Sequence, residues 1–140
     1  MELVLLTVDQ VTEYWPQLEP IYTASCQSNE ITQDDITATD IYILAQTGLC
    51  GIFVATQKKH VVCTVAVRFC EVNGKKGADV VGMGGRNLMA VKARFWEVIV
   101  DWLKANGATF IDTYANSRLA AVYLKKFGFN KSCSYVRMVL

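Results

Sequence analysis

Asn116-Ser117-Arg118-Leu119-Ala120-Ala121-Val122-Tyr123-Leu124-Lys125-Lys126-Phe127-Gly128-Phe129 is the stretch whose reading decides the architecture. Ser117 to Phe127 reads as an amphipathic helix stopped by Gly128, because glycine takes the left-handed conformation that closes a helix at no steric cost. Ala108 to Tyr114 precedes it as a short strand, and Ser132 to Leu140 follows as an expected final strand. Further upstream, Leu88, Val91, Phe95, Val98, Ile99 and Trp102 recur at helical spacing. Lys92, Glu97, Asp101 and Lys104 fall largely on the other side, which predicts a long amphipathic helix closed by Gly107. Helix, strand, helix, strand at this spacing is an α/β layout.

Before these elements the period shortens to two. Cys50 to Thr56 and Val61 to Cys70 are β-rich runs, joined by the polar tetrad Gln57-Lys58-Lys59-His60 as a hairpin. Within the second run Val61, Cys63, Val65, Val67 and Phe69 alternate with a mixed set, so one face points inward. Asn73-Gly74 marks another tight turn, and Ala78 to Met83 forms a third strand interrupted by Gly82, Gly84 and Gly85. An antiparallel meander is expected. Ahead of it, Glu2 to Thr7 reads as a strand leading through a Thr7/Gln10 capping box into a helix with Val11, Tyr14, Trp15, Leu18 and Ile21 on one side. Pro16 and Pro20 each remove a backbone donor, so two short helical pieces are expected there. Thr32-Gln33-Asp34-Asp35 supplies a cap and first-turn acids for a second helix, Thr32 to Thr47, ended by Gly48.

The chain has 140 residues, 52% of them hydrophobic and 19% charged, which predicts one packed domain over residues 1–140. A net charge of +1 offers no electrostatic footprint for nucleic acid or an anionic membrane. Cys26, Cys50, Cys63, Cys70 and Cys133 lack paired spacing for zinc or redox chemistry and read as buried free thiols, with no metal expected. His60, the one histidine, has partners for neither a hydrolytic triad nor a metal cluster. The N-terminus lacks a basic leader, and no run approaches about 18 apolar residues, so a soluble protein of a reducing compartment is expected.

The Asn116-to-Phe129 run resembles the C-terminal signature of the GNAT N-acetyltransferases, in which an asparagine opens a helix ending in tyrosine, two polar residues, an aliphatic and Gly-Phe. The order of elements is similar to that fold over nearly the whole chain. The resemblance implies an α/β GNAT fold, with a mixed, mostly antiparallel central sheet flanked by helices on both faces. It also implies acetyl-CoA in an opening beside the third meander strand, its pyrophosphate at the N-terminus of the following helix. Transferred residue by residue, Met83 and Gly84 would hold the thioester carbonyl. Gly85, Arg86, Asn87 and Leu88 would take the pyrophosphate, Asn116 the pantetheine, and Tyr123 would protonate the leaving sulfur. Asp79, beside the third strand, is the candidate base. Glu71, near the same turn, is weighed with it, and solvated turn charges are the alternative for both.

Two departures bear on activity. The family's phosphate loop carries small residues where this chain has Met89 and Val91, while its glycines precede Arg86 as Gly82-Met83-Gly84-Gly85. A strand-to-helix turn requiring positive φ explains those glycines without a ligand. Counting back from Gly128-Phe129 places the family tyrosine at Leu124, whereas counting forward from Asn116 places it at Tyr123. One residue rotates a helical side chain by about 100°.

Gly84-Gly85, Trp96 or Trp102, and Arg118 look most like the divergent GNAT-like proteins of bacteriophages. Two functions follow. One is N-acyl transfer from acetyl-CoA to a primary amine, carried by a small molecule or a protein, in the cytoplasm. The other is a catalytically silent module, virion-associated or host-directed, that binds a protein partner, with Met89 narrowing the cleft. A homodimer through the expected edge strand Ser132 to Leu140 is also implied.

Overall fold

The architecture is described here in a computed structural model covering residues 1–28, 35–113, 117–131 and 136–140, with the side chains of residues 117–121 outside the description. Nine elements follow in order: β1 (Glu2–Leu5), α1 (Val8–Cys26), α2 (Ala38–Gln46), β2 (Cys50–Gln57), β3 (His60–Val72), β4 (Lys75–Gly85), α3 (Leu88–Ala105), β5 (Ile111–Thr113) and α4 (Ser117–Lys126). The strands form one sheet in the order β1-β2-β3-β4-β5. The first four are antiparallel and β5 is parallel to β4. This is the expected mixed sheet with helices on both faces.

Alternation along the strands sorts the core. Cys50, Ile52, Val54 and Ala66 meet α1 and α2 through Val11, Leu18, Tyr22, Ile41 and Ala45. Phe53, Val65 and Val67 face the other way, onto Ile99 and Leu103 of α3. Full burial of one such aliphatic side chain contributes about 1.5–3 kcal/mol. The three tryptophans belong to this packing: Trp15 lies against Tyr22 and Tyr42, Trp96 against Phe127, and Trp102 against Phe53 and Phe69. Both meander turns use positive φ at their two central residues, Lys58-Lys59 and Asn73-Gly74, as two-residue hairpin connections require.

Three expectations are corrected. Residues 8–26 form one 19-residue helix, with Pro16 and Pro20 inside it. The prolines are four residues apart, so they share one face, and that face is exposed. The carbonyls that lose a partner, those of Thr12 and Pro16, therefore lie on the water side, while Val11, Leu18 and Tyr22 hold the opposite face. The second helix begins at Ala38, capped by Thr37 in a reciprocal box with Asp40, so Thr32 does not cap it. Residues 136–140 form no strand; Val136, Met138, Val139 and Leu140 are exposed, and the edge proposed for a homodimer is not built from them. Ser132, like Cys133, lies outside the described residues.

A buried polar contact ties α1 to the sheet. Thr64 Oγ1 donates to the Phe53 carbonyl at 2.9 Å. Its hydrogen is therefore committed, and Tyr22 Oη donates to Thr64 Oγ1 at 2.6 Å. Burial pushes the Tyr22 hydroxyl far above the ordinary tyrosine range, so it stays a donor. Tyr22→Phe should cost about 1–2 kcal/mol in urea denaturation, because it strips a buried acceptor of its partner. The Cys50 thiol, also buried, is pushed up from 9.0 to about 12. A pKa raised on folding stabilises below the unfolded value and ceases to as pH rises through the folded one. Stability should therefore fall between pH 9 and about 12, and Cys50→Ala should make that fall shallower in denaturation measured across the window.

Candidate active site

The site begins with an interruption in pairing. Ala66 faces Gly82 while Val67 faces Val80, which leaves Val81 as an extra residue, a bulge. β5 accompanies β4 only from Ala78 to Val80, opposite Ile111 to Thr113. From Val81 to Gly85, β4 has β3 on one side and no described strand on the other. Beside this stretch a cavity of about 460 Å³ runs along β4 and the adjoining face beneath α1 and α2.

Its floor is a row across three strands. Arg68 of β3, Asp79 of β4 and Asp112 of β5 are successive register partners. Arg68 binds Asp79 Oδ2 at 3.3 Å, with the Asp79 side chain 27% exposed. Asp35 and Asp40 line the same cavity, which gives it four carboxylates, of which Asp79 pairs with Arg68 and Asp35 with Arg137. Asp35 bonds Arg137 through both carboxylate oxygens, at 2.9 and 2.6 Å, and that contact holds its carboxyl below the usual range. Asp79 is thus a cavity residue, whereas Glu71 is exposed and outside the lining.

Tyr123 lines the cavity from α4. It is 9% exposed against 41% for Leu124, so the forward count from Asn116 gives the residue that points inward. Burial raises its hydroxyl above the ordinary tyrosine range, opposed by a hydrogen bond to Thr113. The ring packs against Phe127 and Phe129, so the Gly-Phe that follows the helix fixes the tyrosine's orientation.

The glycines before α3 have two separate reasons. A Cβ on Gly82 would stand 2.7 Å from the Tyr22 ring, and one on Gly84 would stand 2.8 Å from Ile21 Cγ2. Both leave room for α1 to sit on β4. Gly85 has φ +124°, and a Cβ there would run into the Val62 carbonyl. These positions are set by packing and turn geometry whatever the cleft holds.

The start of α3 remains available to an anion. Asn87 has φ 53° and ψ 40° and makes no side-chain cap, and no acid occupies the first turn. The first helical bond runs from Val91 N to Asn87 O, so the amides of Leu88, Met89 and Ala90 have no acceptor within the helix. Arg86 is exposed beside them. Val91 turns into the core against Ala55, Val62 and Cys63. Met89 is exposed and does not line the cavity. Neither of the two large residues in the loop therefore covers these amides with a buried side chain.

The mixed sheet, the bulge and the uncapped helix after β4 decide the architecture. The fold is that of the GNAT acetyltransferases. The structure superposes on an apo aminoglycoside 6'-N-acetyltransferase from Acinetobacter haemolyticus with TM-score 0.71 and 11% identity, covering 100% of this chain and 98% of that one. A ribosomal-protein-alanine N-acetyltransferase from Brucella melitensis gives 0.67 and 14%, covering 99% and 100%. A predicted acetyltransferase with acetyl-CoA from Clostridium acetobutylicum gives 0.68 and 12%, covering 99% and 95%. No family model matches the sequence, and no curated protein does. At these identities the likeness is one of fold.

On this GNAT frame Met83, Asp79 and Tyr123 line the opening, Gly84 follows Met83 in β4 but lies outside the lining, and Gly85, Arg86, Asn87 and Leu88 form the turn into α3. Asn116 lies outside the described residues. Among the described residues no cluster of metal-ligating side chains occurs, and no helix is long and apolar enough to cross a membrane. The sequence reading missed Ser25, Arg68 and Asp112. Arg68 and Asp112 could have been found only by pairing three strands in register. Gly85→Ala should lower stability by about 3 kcal/mol or more in urea denaturation, because the turn has no room for a side chain at positive φ.

Proposed function

We propose that the protein is an N-acyltransferase that uses acetyl-CoA and acts on a cationic amine. The carrying observation is the juxtaposition, around one 460 Å³ opening, of a β4 edge free of β5, the inward Tyr123 and a carboxylate-rich wall. When bound, acetyl-CoA supplies an electrophilic thioester. The residues present suit it at the phosphate end: Arg86 and the amides of Leu88, Met89 and Ala90 would hold the diphosphate, aided by the α3 dipole.

The acceptor arrives as an ammonium ion, which the carboxylates attract. Arg68 binds Asp79 Oδ2 and the Cys70 thiol also bonds this carboxylate, so these two contacts position Asp79 to accept the amine's proton, and the freed lone pair becomes nucleophilic. Tyr123, which burial keeps protonated, holds a proton for the departing sulfur. Calorimetric titration with acetyl-CoA and CoA tests the reading. Micromolar binding is expected, weakened about five- to tenfold by Arg86→Ala, which removes one charge-assisted phosphate contact. No heat at millimolar ligand would overturn it and leave the silent, protein-binding reading, in which the exposed Val136, Met138, Val139 and Leu140 meet a partner and the resemblance to phage proteins carries the assignment.

A further inference from the structure

Ser25 lies in the last turn of α1, and its Oγ accepts a 3.1 Å hydrogen bond from the backbone N–H of Met83. Met83 stands beyond the bulge at Val81 and beyond the last β5 pair at Val80. A strand amide there has lost its ladder partner and needs another. It finds one in a side chain 58 residues away in sequence, delivered by a helix that Gly82 and Gly84 allow to approach. The main chain of Ser25 is held in place, because its carbonyl accepts from Ser28 N at 3.2 Å and from Ser28 Oγ at 2.7 Å. The side chain needs only a rotation about Cα–Cβ to release the amide. Ser25 and Met83 both line the cavity.

Resting on the transferase reading, we propose that Ser25 Oγ is a placeholder for the donor's acyl carbonyl. It holds the Met83 N–H in the empty cleft and yields it to the carbonyl oxygen when the donor enters. The exchange replaces one hydrogen bond by another of the same kind, so the acyl group adds little net affinity. Tethering sharpens the competition, because a hydroxyl fixed to the helix is always at the amide, whereas a displaced water is lost to bulk. Ser25 thereby leaves donor affinity to the phosphate end of the cleft.

The test is calorimetric titration of the purified protein with acetyl-CoA and with CoA, which has no acyl carbonyl, for wild type, Ser25→Ala and Ser25→Thr. The Met83 amide resonance is followed by NMR in parallel. Ser25→Ala should bind acetyl-CoA about three- to tenfold more tightly and CoA unchanged, since a freed amide gains one net hydrogen bond. Ser25→Thr, which keeps the oxygen, should restore the wild-type ratio. In wild type the Met83 resonance should move with acetyl-CoA and stay in place with CoA, an observation that needs no variant. Equal changes for both ligands, no change for either, or weaker acetyl-CoA binding to Ser25→Ala would overturn the placeholder while leaving the transferase reading intact. Failure of both ligands to bind any variant would overturn both.

Discussion

The close approach of α1 to β4 is the contact on which the rest depends. A helix normally rides on the side chains of a sheet, but here Tyr22 and Ile21 press where Gly82 and Gly84 have none. The Tyr22 hydroxyl continues inward to Thr64, which is bonded to the Phe53 carbonyl. The same contact seals the core on one face and carries the last turn of α1 to the free edge of β4. Stability and cleft geometry are thereby coupled through a single helix, and a change that lifts α1 alters both.

The opening itself is a consequence of register. One extra residue at Val81 and three described residues of parallel pairing leave the second half of β4 without a neighbouring strand on the β5 side among the described residues. Unpaired strand backbone in a partly buried place is costly unless satisfied. The structure answers the cost at Met83 with a serine hydroxyl. At the start of α3 the amides have no side-chain cap. Neutral donors at one end and a carboxylate wall at the other make the cleft polar in opposite senses, which suits a thioester bearing phosphates facing a cation.

Much of this was legible in the sequence. The period of α3, the alternation in β3, both hairpin turns and the Gly-Phe after α4 are local patterns, and they specified the layout. What stayed hidden was decided by non-local contacts. Thr32 and Thr37 are each followed three residues later by an aspartate, so either can cap a helix, and packing of Ile41 and Ala45 selects the second. Val136, Met138 and Leu140 alternate as a strand would, but alternation specifies a face and no partner edge. The Gly82–Gly85 cluster reads alike as an anion loop or as a strand-to-helix turn, and only the positions of Tyr22 and Ile21 show that Gly82 and Gly84 also seat a helix. Tyr123 was one of two registers, and the ring contacts with Phe127 and Phe129 distinguish it from Leu124.

The two prolines of α1 also bear on curvature. Both lie on the outer side of the helix, at positions whose nitrogen carries no hydrogen. A helix short of hydrogen bonds along its outer side lengthens there more readily than along its inner side, and so arches over the surface beneath it. Pro16 and Pro20 lie near the middle of α1, and Ser25 lies in its last turn. The residues expected to divide the helix therefore sit where the lost hydrogen bonds face water, and α1 runs on unbroken to Ser25 at the cavity.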